Sequence, residues 1–170
     1  MMWCLELSKP IPPLEPIRRK RVLCFGTFDI LHYGHVKYLE EAKKLGGDNS
    51  ELIVVISRDS SVESMKGKKP IFSEEHRRAL VASIKSVDKA ILGTEGGDKL
   101  KILEEIRPDI VAIGYDQWPA ITWLEEELKE RNIECEIVRL SKFGSEELNS
   151  SSKIVRQILR LRKDWTENSS

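Results

Sequence analysis

The most informative segment of the chain is Gly26-Thr27-Phe28-Asp29-Ile30-Leu31-His32-Tyr33-Gly34-His35. It follows the apolar run Val22–Phe25 and leads into a helical pattern, so it is predicted to join a strand to a helix. A helix N-terminus presents unpaired backbone N–H groups and a partial positive charge, which together stabilise an anion. His32 and His35 add directed donors there, Gly26 allows close approach of the backbone, and Gly34 leaves room between the histidines. The segment therefore predicts a nucleotide phosphate site.

A His-x-x-His pair on its own has two other interpretations, a metal pair and a simple helix cap. Both are disfavoured here because Gly-Thr-Phe-Asp precedes the pair at a strand end. A strand, a turn and a helix start in that order are the context that a phosphate motif requires. Nucleotide binding is the favoured interpretation, and no metal ligands are predicted among the side chains of the protein.

Outward from this segment, short β-branched runs alternate with apolar residues at helical spacing. Strands are predicted at Val22–Phe25, Leu52–Ser57, Lys89–Leu92, Asp109–Ile113 and Ile133–Val138. Helix faces are predicted from Val36, Leu39 and Ala42, from Leu80, Val81 and Ile84, from Leu100, Leu103 and Ile106, and from Ile121, Leu124 and Leu128. This alternation favours right-handed crossovers. The predicted fold is α/β, a Rossmann-like doubly wound five-stranded parallel sheet with helices on both faces.

The length and charge of the chain limit its organisation and its partners. With 170 residues it is long enough for one domain, and we predict an N-terminal extension at 1–20, a globular domain at 21–163 and a tail at 164–170. Basic and acidic residues number 28 each, which indicates neither a nucleic-acid partner nor a membrane surface. There is no signal-peptide layout, so a cytoplasmic location is expected. Cys24 and Cys135 are predicted to be reduced core residues.

Two further segments with charged side chains follow predicted strands. They lie at the carboxyl ends of the strands, where ligands of such folds bind. Met65-Lys66-Gly67-Lys68-Lys69-Pro70 precedes Ser73-Glu74-Glu75-His76-Arg77-Arg78, and by itself a lysine-rich loop is more often solvated surface. Lys69 and Arg78 are predicted to be surface residues. Asp116 follows the fourth strand, where a carboxylate either receives donors from a nucleoside or starts a turn.

A polar segment opens the last predicted helix. Asn149-Ser150-Ser151-Ser152-Lys153-Ile154 is either an ordinary N-cap or a second helix start whose hydroxyls hold phosphates, and the second interpretation is favoured. The helix that follows is predicted to bury a face made of Ile154, Val155, Ile158 and Leu159.

The decamer 26–35 resembles the signature of the nucleotidylyltransferase superfamily, the cytidylyltransferase-like enzymes with a His-x-Gly-His motif. The similarity continues through Lys66–Ile71, Val87–Gly93 and Arg107–Gln117, which are most like the archaeal type of FAD synthase. It covers most of residues 21–160, and the N-terminal extension lies outside it.

This resemblance implies an activity and a set of site residues. The enzyme would transfer AMP from ATP to the phosphate of FMN, releasing pyrophosphate, with Mg²⁺ or another divalent cation on the triphosphate. Its partners would be the small molecules ATP and FMN, and a homodimer is one expectation for its oligomeric state. Catalytic phosphate contacts are implied for His32, His35, Lys66 and Arg77. Nucleotide contacts are implied for Thr27, Phe28, His32, Tyr33, Gly34, His35, Asp116, Arg139, Ser151 and Ser152.

Two alternatives share the phosphate motifs. One is a CTP-dependent cytidylyltransferase acting on glycerol 3-phosphate or a similar alcohol phosphate. Gln117 stands where such enzymes usually carry tryptophan, so ATP and FMN are favoured. The other is a non-catalytic nucleotide-sensing domain, and the intact histidine pair with Lys66, Arg77 and the serine run argues against it.

Overall fold

The computed structural model of the protein describes residues 18–96, 98, 100–117, 121–143 and 149–167, the last three without their side chains. Its strands are β1 (Lys20–Gly26), β2 (Ser50–Ile56), β3 (Lys89–Leu92), β4 (Ile110–Ile113) and β5 (Glu136–Arg139). Its helices are α1 (Tyr33–Leu45), α2 (Asp59–Lys66), α3 (Glu74–Ala82), α4 (Lys101–Ile106), α5 (Ile121–Glu130) and α6 (Ser151–Glu167).

The five strands form one parallel sheet in the order β3-β2-β1-β4-β5. The chain builds outward from β1 through β2 to β3, then returns to the other side of β1 for β4 and β5. Strand order therefore reverses between β1 and β4, which is where ligands bind in open α/β sheets. The predicted fold class is confirmed.

Successive side chains of the central strands feed two apolar layers, one on each face of the sheet. Val22 and Cys24 of β1 pack with Leu39 of α1 on one face, where Val81 of α3 also lies. Leu23 packs on the other face, in a cluster that includes Leu103 of α4 together with Leu124 and Leu128 of α5. Burying one leucine of this kind stabilises the fold by about 2 kcal/mol. Helices cover both faces, as the alternating pattern predicts.

The structure has the five predicted strands in the predicted order along the chain. Their first and last residues differ from the predicted ones. The largest shift is at β5, which begins at Glu136 rather than Ile133. Helix α2 is a finding that the apolar pattern did not predict, because Val62 is its one buried residue. The predicted domain boundaries stay predictions, since residues 1–17 and 168–170 lie outside the described residues.

The prediction of a buried face on α6 is wrong in its second half. Ile158 and Leu159 are each 58% exposed, and neither core cluster includes a residue of this helix. Apolar periodicity reports that one face is apolar, but it does not report whether the sheet reaches far enough to cover that face. Among the helices that the structure describes, none has the length and apolar character to cross a bilayer.

Candidate active site

The candidate site lies at the carboxyl ends of β1, β2 and β4, around the loop that joins β1 to α1. This loop, Thr27–Leu31, is called the phosphate loop below. Two of its residues, Phe28 and Ile30, have φ values of 53°. A β-branched residue such as Ile30 is rarely found in this left-handed region, so contacts from the surrounding structure must impose the conformation.

Helix α1 begins without a cap. Its N-cap residue, His32, makes no capping hydrogen bond through its side chain, and the first turn contains no acidic residue. The first main-chain N–H groups of a helix have no partner within it, although here His35 N–H already donates to the His32 carbonyl at 2.9 Å. The start of α1 therefore keeps the positive end of the helix dipole available to an anion.

The two histidines at this start face each other. Their rings stack with centroids 3.7 Å apart at an interplanar angle of 20°. Phe28, which is 3% exposed, supports His35 from behind with an edge contact at a centroid distance of 5.2 Å. The Nδ1 atoms of both histidines are buried and have no hydrogen-bond partner among the described residues. Buried polar atoms are nearly always paired, so these two atoms mark the histidine pair as a candidate binding site.

Burial keeps the histidine pair neutral. It lowers the pKa of His35 to about 3, with smaller contributions from the charges of His32 and Lys66. Burial also lowers the pKa of His32. A neutral imidazole donates one N–H, so each ring can offer one hydrogen bond to a phosphate oxygen without carrying a positive charge.

The two glycines of the segment serve different purposes. A Cβ on Gly34 would lie 3.2 Å from the His32 ring and 3.2 Å from the Phe143 carbonyl oxygen, so glycine keeps the space beside the histidines free. A Cβ on Gly26 would come within 2.5 Å of the Phe28 ring. Gly26 thus makes room for the Phe28 ring, which is buried against His35.

Lys66 reaches the phosphate loop from the end of α2. Its Nζ lies 3.3 Å from Thr27 Oγ1, and its charge contributes to lowering the pKa of His35. The structure thus brings Lys66, Thr27 and the histidine pair together. Lys69 is 74% exposed and lies 4.0 Å from Glu63, and Arg78 pairs with Glu75, as expected for surface residues.

Arg77 is placed differently from the expectation that it contacts phosphate. Its side chain is fully buried, and its guanidinium donates to the carbonyl oxygens of Thr27 (2.5 Å), Ser57 (2.8 Å) and Phe72 (3.0 Å) and to Asp59 Oδ1 (2.6 Å). These acceptors use four of the five N–H groups of an arginine. Arg77 holds the phosphate loop, the end of β2 and the start of α3 together.

The loop after β4 is fixed by the side chains of Gln117 and Arg139. Gln117 donates from Nε2 to the Phe25 carbonyl (2.8 Å) and accepts at Oε1 from Gly114 N–H (3.0 Å). Arg139 donates to the Tyr115 carbonyl (3.1 Å) and the Gln117 carbonyl (2.9 Å). Asp116 lies exposed in this loop. Arg139 thereby supports the loop that carries the predicted nucleoside contact.

The serines at the start of α6 divide between the two interpretations. Ser150 Oγ accepts from Lys153 N–H at 3.3 Å, as an N-cap does. The Ser151 hydroxyl donates to the Asp29 carbonyl and so joins α6 to the phosphate loop. Ser152 is exposed.

Asp29 is the residue that sequence reasoning missed. It stands inside the quoted decamer, yet no role was predicted for it. Its carboxylate accepts from the main-chain N–H groups of Ile71 (3.0 Å) and Phe72 (3.1 Å). The signal available in the sequence was its position three residues before His32.

The thiols lie apart from this chemistry. Cys24 is fully buried, which raises its pKa to about 12, and burial raises the pKa of Cys135 to about 11. Both are free. Cys24 is a core residue as predicted, and Cys135 packs partly buried against the second apolar layer. Within the described ranges, no three His, Cys, Asp or Glu side chains are grouped to hold a metal ion.

Comparison with known proteins adds independent information. Residues 23–157 match the family described as Cytidylyltransferase-like. A protein of Methanobrevibacter smithii named FAD synthase is 49% identical over 142 residues, which are 84% of this chain and 92% of that relative. A FAD synthase of Korarchaeum cryptofilum is 46% identical, with 84% of this chain and 93% of that relative covered.

Solved structures agree on the architecture. The crystal structure of a protein from Thermoplasma volcanium, described as a lipopolysaccharide core biosynthesis protein, is 47% identical with a TM-score of 0.68 and covers 74% of this chain and 98% of that chain. A pantoate-beta-alanine ligase of Francisella tularensis, 14% identical with a TM-score of 0.53, covers 79% of this chain and 63% of that chain and shares the fold.

Proposed function

The chain belongs to the cytidylyltransferase-like family, and from that premise we propose that it is an FMN adenylyltransferase, an FAD synthase. It transfers AMP from ATP to the phosphate of FMN and releases pyrophosphate. The proposal is supported by the name FAD synthase on relatives that are 44–49% identical over 82–85% of this chain. Neither the cytidylyltransferase alternative nor the sensing domain is favoured by these relatives.

The single observation that carries the proposal is the uncapped start of α1 beside Lys66 and two neutral histidines, whose Nδ1 atoms have no hydrogen-bond partner among the described residues. A phosphate of ATP placed there accepts hydrogen bonds from main-chain N–H groups, from two imidazole N–H groups and from one ammonium group. Donors fixed in advance stabilise charge that develops in the transition state more than charge in the ground state. The site therefore suits transfer at a phosphorus atom.

The reaction needs no protein nucleophile. An oxygen of the FMN phosphate attacks the α-phosphorus of ATP, the new P–O bond forms, and the bond from the α-phosphorus to the bridging oxygen of pyrophosphate breaks. The protein contributes positioning and charge stabilisation. We propose that His32, His35 and Lys66 contact the reacting phosphates, that Thr27, Tyr33, Gly34, Asp116, Ser151 and Ser152 surround the nucleotide, and that Phe28, Arg77 and Arg139 support these residues.

The two substrates are proposed to approach from opposite sides of the histidine pair. The reversal of strand order between β1 and β4 favours ATP on that side, where Asp116 lies. FMN then approaches from the side of β2, over α2 and the segment after it. Met65 is 61% exposed and Ile71 is 63% exposed on that side, which gives an isoalloxazine ring apolar surface.

A divalent cation is proposed to enter with the triphosphate. Mg²⁺ usually keeps several waters and takes one or two carboxylates plus substrate phosphates, so a built cage of side chains is not needed. The donor set fits this mode, because Asp116 is an exposed carboxylate on the nucleotide side. Bound there, the ion would neutralise charge on the triphosphate, and chelation is expected to abolish turnover.

The activity is tested by following pyrophosphate release from the purified protein with ATP or CTP, each with FMN or glycerol 3-phosphate. ATP with FMN is expected to be fastest, and FAD is identified as the product by chromatography. Faster turnover of CTP with glycerol 3-phosphate contradicts the proposal and makes the protein a cytidylyltransferase. Nucleotide binding without turnover of any pair makes it a sensor.

Two further proposals concern the state of the protein. A homodimer is supported by the exposed Ile158, Leu159 and Leu161 of α6, and a mass of one chain in light scattering at micromolar concentration contradicts it.

A cytoplasmic location is supported by the free thiols Cys24 and Cys135 and by the proposed use of ATP. Cell fractionation tests the location.

A further inference from the structure

The left-handed residues of the phosphate loop flank Asp29 on both sides. Phe28 and Ile30 hold φ values of 53°, a region that non-glycine residues occupy only where neighbouring contacts require it. The contacts that meet this loop come from three separate parts of the fold. Arg77 donates to the Thr27 carbonyl, the Ser151 hydroxyl donates to the Asp29 carbonyl, and the Asp29 carboxylate receives two main-chain N–H groups.

The Asp29 carboxylate joins the phosphate loop to the segment that follows α2. We call residues 66–72 the lysine segment. One carboxylate oxygen accepts from Ile71 N–H at 3.0 Å and the other from Phe72 N–H at 3.1 Å. Hydrogen bonds to an ionised acceptor are about twice as strong as neutral ones, and two parallel bonds also fix orientation. The other end of the same segment meets the loop through Lys66 Nζ and Thr27 Oγ1.

We propose that Asp29 is a positioning residue that sets the lysine segment against the histidine pair and so builds the acceptor side of the site. The inference rests on the proposed function, in which FMN approaches over this segment. Asp29 acts through the main chain of Ile71 and Phe72 and touches neither substrate. A carboxylate is required because both of its oxygens accept, whereas an asparagine would turn one N–H₂ group toward an N–H donor.

The test compares Asp29→Asn with Asp109→Asn. Asp109 is the control, because its carboxylate also accepts a main-chain N–H, from Arg21 at 2.7 Å, at the amino ends of β1 and β4, far from the candidate site. It additionally pairs with Arg18. In Asp29→Asn the KM for FMN is expected to rise about tenfold or more, while the KM for ATP changes less than twofold. Asp109→Asn is expected to lower the melting temperature and to leave both KM values unchanged.

A second measurement is independent of activity. Trypsin should cut after Lys66 and Lys68 faster in Asp29→Asn than in the wild type, and Asp109→Asn should not alter cleavage there. Equal rises of both KM values, an unchanged KM for FMN in an active variant, or a fall in kcat alone with an altered Mg²⁺ requirement would each overturn the positioning role. A wild-type protein that does not adenylylate FMN contradicts the proposed function instead, and the proteolysis still tests whether Asp29 holds the segment.

Discussion

The first turns of α1 and α3 lie at the same end of the sheet, yet their capping differs. We call the capped N-terminus of α3 the completed start and the uncapped N-terminus of α1 the open start. At α3, Ser73 Oγ accepts from His76 N–H at 3.4 Å and the Asp59 carboxylate accepts from Glu74 N–H at 3.2 Å. Acidic residues Glu74 and Glu75 complement the dipole. At α1 the N-cap residue His32 makes no capping bond through its side chain, and the first turn has no acid. Among the described residues, the Nδ1 atoms of His32 and His35 have no hydrogen-bond partner.

This difference separates structural from functional helix starts. A helix start that its own chain satisfies gains stability and has little left to offer a ligand. A start without a cap or an acid forgoes that stability, and an anion can supply the missing partner. The comparison also explains why Arg77 is buried: it belongs to the completed start, where its four acceptors tie α3 to the phosphate loop.

Removal of a histidine from the open start should have the largest effect. His35→Ala is expected to lower kcat about 100- to 1000-fold, because a lost transition-state donor typically costs ~3–4 kcal/mol. His32→Ala should behave alike. Steady-state pyrophosphate release measures the change, and His76→Ala, which removes the exposed histidine of α3, serves as the control. Near-normal rates in either site variant would show that the open start is not the reacting centre.

The open start should also control how stability depends on pH. Because burial lowers the pKa of His35 from 6.5 to about 3, the unfolded chain binds a proton that the folded protein does not bind between these pH values. The contribution to stability is present above pH 6.5 and is lost as the pH falls toward 3.

His35→Asn removes this term. The slope of the free energy of unfolding against pH should decrease by up to about 1.4 kcal/mol per pH unit in that window. Urea titrations at several pH values measure the slope. An unaltered slope would indicate that His35 carries a proton in the folded protein.

An acidic side chain at the open start should stabilise helix α1 and weaken the binding of ATP. Tyr33 is the first residue of α1 and is 62% exposed, so Tyr33→Glu places a carboxylate at the dipole without a clash. The helix should gain about 0.3–1 kcal/mol, while the KM for ATP should rise about tenfold through repulsion of phosphate. Tyr33→Gln is the neutral control. If both variants raise the KM equally, the lost tyrosine ring and not the charge is responsible.

Opening the completed start should have the smallest effect. Ser73→Ala removes the cap of α3 and is expected to cost about 1 kcal/mol of stability with kcat and both KM values within twofold of the wild type. Thermal unfolding measures the loss. Ser83→Ala, at the other end of the same helix, should cost less. A large kinetic effect of Ser73→Ala would mean that the two starts are not functionally distinct.

The fold was predictable because its information is local. Apolar runs such as Leu52–Ser57 identified the strands, and the motif 26–35 identified the edge where the site lies. Helix α2 escaped prediction because it has eight residues and buries one of them, Val62. The apolar face of α6 is predictable from the sequence. Its burial depends on how far the sheet extends, and Ile158 on this face is exposed.

The roles of site residues were less predictable because their partners are main-chain atoms. The resemblance implies a phosphate contact for Arg77 and a nucleotide contact for Arg139, yet both donate to main-chain carbonyl oxygens, those of Thr27, Ser57, Phe72 and the loop after β4. A carbonyl is present at every residue, so no residue type marks it in a sequence. Asp29 escaped for the same reason, since its partners are two N–H groups.

The side chain of Gln117 has a consequence for local opening of the sheet. Regular pairing of β1 with β4 ends at Cys24 and Ala112, and the Gln117 amide bridges Phe25 and Gly114 just beyond that point. A side-chain amide carries a donor and an acceptor, as a peptide group does, so Gln117 adds two hydrogen bonds between the strands. One rotation of its side chain removes both. The Gly114 amide hydrogen then exchanges with solvent through that rotation, without strand separation. Its exchange rate, followed by NMR, would report how often the crevice between the two strands opens.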